Sequence, residues 1–311
     1  MTGSKPTQVR TMLLYAQDHR GMGHINRTLT IVRHVLAAHP DLVAYIATKS
    51  PIPNLFALPE RCDYIKLPGR LSTPNQTEEE KEAATVRFRS IRSRILRETA
   101  LGLAPELVLV DHEPLGTKGE FRDGLYSLKA QCPGTRFIFG LRDIMDDAAN
   151  TRALWRELGV YDAFENLFDG IAVYGSRQLY DVAEAYDIPA SVRPKLHYCG
   201  FIIRDLPAQN GTSVREEFGL PLAGPLVLAT VGSGYDGYPV LEATASALER
   251  LRKMFPDLLA IMVTGPFMPA AQQAQLRARA TPRCRVVSRA DSFQLMAAAD
   301  AIVSMGGYNS V

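Results

Sequence analysis

The feature that most constrains the fold is a regular alternation of short β-rich runs with longer amphipathic segments. This alternation favours a parallel sheet covered by helices on both faces, with ligand sites at the carboxyl ends of the strands. The predicted strands in the first two thirds of the chain are Thr11–Gln17, Leu42–Thr48, Tyr64–Leu67, Leu107–Val110, Arg136–Leu141 and Ile171–Tyr174.

A second alternating series follows the turn-rich segment 205–211. Because 311 residues exceed what one hydrophobic core usually organises, we predict an α/β protein with two domains, 1–204 and 205–311. The segment 195–202 is interpreted as the crossing between them. The predicted strands of the second domain are Leu226–Val231, Ala260–Thr264, Arg285–Ser288 and Ala301–Ser304.

Composition excludes several functional classes. A net charge of +2 gives no electrostatic case for nucleic acid as a partner. The polar start lacks the apolar core of a signal peptide, and no apolar run approaches the length of a membrane span, so we expect a cytoplasmic protein. The four cysteines lack C-x-x-C spacing, which indicates buried free thiols rather than a zinc site or a disulfide framework.

Two helices carry further expectations. Ile25, Leu29, Val32 and Leu36 share one face of the first helix and predict inward packing, whereas Arg27 falls elsewhere.

A long helix is predicted to begin near Thr77. Its arginines are interpreted either as solvated surface or as a contact for an anionic acceptor or a membrane surface. They are Arg87, Arg89, Arg92, Arg94 and Arg97.

A glycine loop between the first strand and the first helix contains Gly21, Gly23 and His24. Its glycines permit close approach of a ligand, and the helix start offers unpaired N–H groups. A neutral His24 imidazole there can act as a general base toward a hydroxyl group or water. The alternative is a simple turn in which His24 caps the helix.

Two further glycine loops each follow a predicted strand of the second domain. Gly232, Ser233 and Gly234 form one, and Gly306 and Gly307 belong to the other. Their backbone N–H groups suit a diphosphate, although neither loop is a P-loop. Loops on neighbouring strands would converge on one crevice. Each loop alone is equally compatible with a turn that binds nothing.

The order of these motifs resembles the GT-B glycosyltransferases of the family 28 type, the branch of the bacterial lipid II N-acetylglucosaminyltransferase, and most nearly its uncharacterised predicted members. The resemblance implies two Rossmann-like domains whose parallel sheets face an interdomain cleft, with the second domain incomplete. The segments that carry it are Gly21–Arg27, Val231–Gly234, Val263–Pro266, Phe293–Asp300 and Ser304–Ser310.

The resemblance also assigns residue roles. Gly265, Ser288 and Arg289 would line the nucleobase, while Gly21, Gly23 and Arg27 would belong to the acceptor side. Asn309 would cap the helix after the last loop. The donor diphosphate would meet Gly232, Ser233, Gly234, Gly306, Gly307, Tyr308 and Asn309.

Polar residues after two strands of the first domain complete the expected site. Asp111 or Glu113 would orient His24 and stabilise its protonated form. The spacing of this pair could also suit a metal, but no second cluster of ligands is present, so we predict none. Arg142 would supply an acceptor-side anion contact or an ion pair with Asp143.

The reaction implied is inverting, metal-independent transfer of a hexose or N-acetylhexosamine from a nucleotide sugar, with a UDP sugar expected, to an unknown acceptor hydroxyl. No cofactor is expected besides this donor substrate. The alternatives are a nucleotide-sugar hydrolase of the pseudaminic-acid-pathway type and a non-catalytic nucleotide-sugar-binding protein. The family places an acidic residue for the donor ribose beyond Val311, so we expect a truncated chain with weak donor binding and reduced or absent activity.

Overall fold

The computed structural model describes residues 9–16, 23–50, 57–71, 73–204 and 211–307. The chain divides into two compact units between Ile203 and Arg204, next to the predicted domain boundary. The first unit contains one parallel sheet with strand order β3-β2-β1-β4-β5-β6-β7. Strands β1 to β7 are Arg10–Tyr15, Leu42–Thr48, Cys62–Lys66, Leu107–Asp111, Arg136–Arg142, Gly170–Tyr174 and Leu196–Tyr198.

Helices cover this sheet because the central strands are apolar on both faces. In β1 the four residues from Met12 to Tyr15 are all buried, as a strand sandwiched between two helical layers must be. The described helices α1 to α6 of this unit are Gly23–Ala38, Glu78–Leu103, Arg122–Gln131, Ala148–Glu157, Val160–Asn166 and Val182–Ala185.

Helix α1 confirms the predicted apolar face, since Ile25, Leu29, Val32 and Leu36 are all buried. Arg27 lies on a different face of the helix, and its side chain is also buried, because an acidic partner within the unit compensates its charge.

Helix α2 begins where the sequence predicts. The Thr77 hydroxyl accepts a hydrogen bond from the Glu80 N–H, and the Glu80 carboxylate accepts one from the Thr77 N–H, which forms a capping box. Arg92 is buried, so the interpretation of the α2 arginines as solvated surface is wrong at this position. Neither α2 nor any other helix in the described ranges is long and apolar enough to cross a bilayer.

The segment 195–202 is not only a crossing. Leu196–Tyr198 forms β7 and pairs in parallel with β6, with Leu196 opposite Ile171. A three-residue edge strand has too few positions to show a period of two, so periodicity could not predict it.

The second unit holds a parallel sheet with strand order β10-β9-β8-β11. Its core includes β9, in which every residue is buried. Cys284 in β10 is buried, but Cys199 is exposed and Cys62 and Cys132 are half-buried, so the expectation of four buried thiols is wrong. Strands β8 to β11 are Leu226–Thr230, Leu259–Val263, Cys284–Val287 and Ala301–Ser304, and helices α7 to α10 are Gly211–Glu217, Tyr238–Leu251, Ala270–Arg277 and Ser292–Ala298.

Candidate functional site

The site in the first unit is built from the first turn of α1 and the end of β4. These elements are neighbours because β1, which precedes α1, pairs directly with β4. His24 Nδ1 lies 2.8 Å from Asp111 Oδ2. The His24 side chain keeps 20% of its surface exposed and that of Asp111 only 1%, so the imidazole lies between a buried carboxylate and the surface.

Arg27, one turn along α1 from His24, holds the carboxylate of Asp111 in place. Its Nη2 donates to Asp111 Oδ1 at 3.0 Å and Oδ2 at 2.8 Å, and its Nε donates to Oδ1 at 3.2 Å. The guanidinium also lies 5.1 Å from the centre of the Tyr174 ring. Glycine at position 140 leaves room for this ring, because a Cβ there would lie 2.1 Å from the Tyr174 hydroxyl.

The charge of Asp111 is maintained despite its burial. Burial by itself raises the pKa of this carboxyl, but Arg27 and the hydrogen bond from His24 outweigh it and lower the pKa to about 2. Because Asp111 is ionised, it can only accept hydrogen bonds. Arg27 Nη2 also lies 2.9 Å from His24 Nδ1, so this nitrogen has both a donor and an acceptor beside it. We assign the Nδ1 proton to the contact with Asp111, which would otherwise set two lone pairs against each other, and this leaves the lone pair on Nε2 as the site that can accept a proton.

His112 is the residue of this site that the sequence analysis missed. Its ring centre lies 4.4 Å from that of His24, and its backbone is left-handed, with φ of 69°. Within the described residues its buried Nδ1 has no hydrogen-bond partner. Burial, followed by the charge of His24, lowers the pKa of His112 to about 3, so this imidazole stays neutral. The sequence feature that could have indicated His112 is the unbroken Asp-His-Glu run that begins at the last residue of β4.

His112 is expected to make the first unit acid-sensitive. Its folded pKa lies below the value of about 6.5 in an unfolded chain, so the unfolded state takes up the proton first and stability falls as pH falls below 6.5. Between pH 7 and pH 5 we expect His112 to account for about 2 kcal/mol of lost unfolding free energy. Asp111 titrates below this window and does not contribute to the loss.

The matched variant is His112→Asn, since asparagine tolerates the left-handed conformation. Urea unfolding followed by the fluorescence of Trp155, the single tryptophan and part of the first core, measures the effect at both pH values. The unfolding free energy lost between pH 7 and pH 5 should be smaller in the variant. Parallel pH dependence in both proteins would contradict the assignment.

The other predicted residues of the first unit lie as follows. Gly23 is the first residue of α1 rather than part of a loop, and Gly21 lies outside the described residues. Asp111, not Glu113, is the carboxylate that contacts His24. Arg142 donates from Nη2 to the backbone carbonyl of Met145.

In the second unit the glycine loops follow neighbouring strands. Strand β11 pairs with β8, with Ser304 opposite Thr230, so the loops that begin at Val231 and Met305 leave the same edge of the sheet side by side. Gly232 and Gly306 both have left-handed backbones, with φ of 59° and 64°. Helix α8, which follows the first loop, begins at Tyr238 and has a proline in its first turn.

Gly265, after β9, lies against the Gly232–Gly234 loop. A Cβ at Gly265 would lie 2.4 Å from the carbonyl carbon of Ser233 and 2.5 Å from the Gly234 nitrogen. The Phe267 N–H donates to the Ser233 carbonyl at 2.9 Å. The two loops therefore support each other through backbone contact.

Gly265→Ala is expected to destabilise the second unit by about 3 kcal/mol, because alanine would meet both the left-handed strain and the backbone clash. Gly306→Ala is the matched control. Its φ is also positive, but a Cβ there has nothing within 4 Å, so about 1 kcal/mol is expected. Urea unfolding followed by far-UV circular dichroism compares the two; equal losses would disprove the close-packing argument.

The remaining predicted residues are less informative. Ser288 is half-buried and Arg289 exposed, after β10, and Gly307 is exposed after β11. Tyr308 and Asn309 lie outside the described residues. Among the residues that the structure describes, no three His, Cys, Asp or Glu side chains are grouped as ligands for a metal ion, and the metal-independent reaction stays a prediction.

No protein-family model and no curated protein matches this sequence. Solved structures match it over both units. A UDP-glucosyltransferase from Polygonum tinctorium that glucosylates indoxyl matches with a TM-score of 0.59 at 14% identity, over 96% of this chain and 76% of its own. The chain has the GT-B fold.

Other structures with this fold differ in their reactions. A transferase from Siraitia grosvenorii in complex with UDP matches with a TM-score of 0.54 at 15% identity, over 96% of this chain and 78% of its own. A putative UDP-N-acetylglucosamine 2-epimerase from Listeria monocytogenes has a TM-score of 0.57 at 12% identity, with 96% and 74% covered. At such identities the GT-B fold is what the likeness establishes.

Proposed function

We propose that this protein is a nucleotide-sugar glycosyltransferase with His24 as its general base. The observation that carries the proposal is the buried Asp111 carboxylate, fixed by Arg27, 2.8 Å from His24 Nδ1. An anionic partner at Nδ1 orients the ring and stabilises the imidazolium that forms when Nε2 accepts a proton. Structures of the same fold that act on or bind UDP compounds support a nucleotide-sugar donor.

In the proposed reaction, an acceptor hydroxyl oxygen forms a bond to the anomeric carbon of the donor. The bond from that carbon to the diphosphate oxygen breaks, and the nucleoside diphosphate leaves with the electron pair. His24 Nε2 takes the hydroxyl proton. Backbone N–H groups of the Gly232 and Gly306 loops would meet the leaving charge, which is electrostatic stabilisation by preorganised dipoles. Attack from the opposite face inverts the anomeric configuration.

Hydrolysis is the second candidate, because His24 would activate water as readily as an acceptor hydroxyl. Non-catalytic donor binding is the third. The 2-epimerase of the same fold adds epimerisation as an outcome to be monitored.

Incubation with millimolar UDP-glucose, UDP-galactose or UDP-N-acetylglucosamine, with and without a panel of hydroxyl acceptors, separates these reactions. Acceptor-dependent UDP release, with an inverted anomeric signal by NMR, supports transfer. Stoichiometric release without acceptor indicates hydrolysis, and a new sugar nucleotide without UDP release indicates epimerisation. Donor binding by calorimetry with no turnover on any acceptor would contradict the catalytic proposal.

A further inference from the structure

A cavity of about 510 Å³ opens on the first unit beside the middle of α2. Its α2 wall is formed by Arg89, Ser90, Ser93 and Arg94, whose spacing places them on one face of the helix. The facing wall comes from the loop after β4, a short 3-10 turn at Thr117–Gly119, and includes Lys118.

The charge of this cavity is not compensated by the protein. Within the part of the chain that the structure describes, the side chains of Arg89, Arg94 and Lys118 make no hydrogen bond or ion pair. Glu120 is the one carboxylate among the lining residues, and it is already bound. It accepts from Arg92 Nε at 2.7 Å and from the Tyr15 hydroxyl at 2.8 Å.

The arginines of α2 therefore serve two different purposes. Arg92 neutralises Glu120 beneath the cavity, and Arg97 pairs with Asp123 at 3.3 Å. Arg89 and Arg94 instead face Lys118 across a concave space. Three like charges around one cavity repel one another, and an anion placed among them removes this repulsion.

Lys118 reaches this position at a conformational cost. Its φ of 52° and ψ of 35° are left-handed, a conformation that costs a residue with a side chain about 1–2 kcal/mol relative to right-handed backbone. Strain of this kind concentrates where a side chain must be presented to a ligand. No hydrogen bond or ion pair of the Lys118 side chain within the described residues compensates the strain.

We propose that this cavity, none of whose lining residues belongs to the His24 site, is a binding site for a phosphate group with at least two negative charges. Arginine forks bind phosphate oxygens with charge-assisted hydrogen bonds, and Lys118 adds a point charge. The hydroxyls of Ser90 and Ser93 are further donors. The cavity volume accommodates a phosphate or diphosphate with part of an organic substituent.

Calorimetric titration with inorganic pyrophosphate tests the site. Arg89→Ala and Arg94→Ala are each expected to weaken binding at least about tenfold, as loss of a charge-assisted hydrogen bond implies. Arg87→Ala is the matched control, because Arg87 is exposed on the same helix and does not line the cavity. It should change affinity less than about twofold. Pyrophosphate held by loops of the second unit would remain in all three variants.

Lys118→Gly separates binding from folding. Glycine relieves the left-handed strain, so the thermal unfolding midpoint should rise by a few degrees while pyrophosphate affinity falls about tenfold. A destabilised variant, or one that retains full affinity, would overturn the role of Lys118. If Arg87→Ala and Arg89→Ala lose equal amounts of pyrophosphate affinity, the ligand binds to diffuse surface charge and not in this cavity.

Cosedimentation with vesicles identifies the source of the phosphate. Binding to phosphatidic acid vesicles, whose phosphomonoester can carry two charges, but not to phosphatidylcholine vesicles, lost in Arg89→Ala and displaced by pyrophosphate, assigns it to a lipid headgroup. Pyrophosphate binding without vesicle binding assigns it to a soluble ligand. Failure to bind either probe refutes the proposal and leaves the proposed His24 chemistry unaffected.

Discussion

Replacing His24 with alanine is expected to lower turnover of the nucleotide sugar at least about a hundredfold, the scale of a lost general base. Asp111 orients the His24 imidazole. Among the described side chains, only Arg27 also contacts Asp111 Oδ2, and Arg27 stays protonated, so it cannot replace His24 as the base. Steady-state UDP release, measured with the donor and acceptor found active, gives the ratio.

The control for this variant is His34→Ala on the same helix. His34 Nδ1 lies 2.8 Å from the Thr30 carbonyl oxygen, away from Asp111, and its removal should leave turnover within twofold or so. Donor affinity should be retained in both variants, because a base acts in the chemical step. If turnover of His24→Ala stays within a few-fold of the parent, another group takes the proton.

Breaking the buried pair of Arg27 and Asp111 is expected to have the largest effect on stability. Asp111→Asn keeps the shape of the side chain but removes the carboxylate of this pair from the Arg27 guanidinium, which is only 3% exposed. Removing one partner of a buried ion pair costs about 3–5 kcal/mol. Urea unfolding followed by Trp155 fluorescence measures this loss in the first unit.

The ion pair between Arg10 and Glu106 provides an internal comparison in the same unit. Its Nε–Oε2 distance is 2.8 Å, but the side chains are 44% and 49% exposed, so Glu106→Gln should leave the free energy of unfolding nearly unchanged. Burial rather than distance would then explain the difference. If Asp111→Asn costs no more than Glu106→Gln, the buried pair is not a structural anchor.

The Arg27–Asp111 pair also predicts how the stability of the first unit changes as pH falls. Because the folded pKa of Asp111, about 2, lies below its unfolded value of about 3.9, its stabilisation is complete above pH 3.9 and is lost as pH falls through 2. Asp111→Asn should therefore remove stability at neutral pH and reduce the remaining acid sensitivity below pH 4.

The site was predictable in part. Both His24 and Asp111 follow from glycine-loop and strand-end patterns, but the choice of Asp111 over Glu113 did not. A strand that continued past Asp111 would place residues 111 and 113 on the same side. The left-handed backbone of His112 breaks that alternation directly after β4. The residue type of His112 does not by itself predict this conformation, which packing imposes.

Local periodicity determined the elements of this protein. Apolar runs predicted ten of the strands within a few residues, and the start of α2 was predicted near Thr77, where the capping box forms. These features depend on residues close together in the chain, where steric preference and capping act directly.

Tertiary structure alone decided which charges are buried and which are left for a ligand. Arg27 meets a carboxylate 84 residues away, and Arg92 meets one 28 residues away, while Arg89 and Arg94 on the same helix meet none within the described chain. The sequence presents these arginines as equivalent. The physical reason is that a partner across the fold supplies the compensation that burial of a charge requires, and helical periodicity carries no information about that partner.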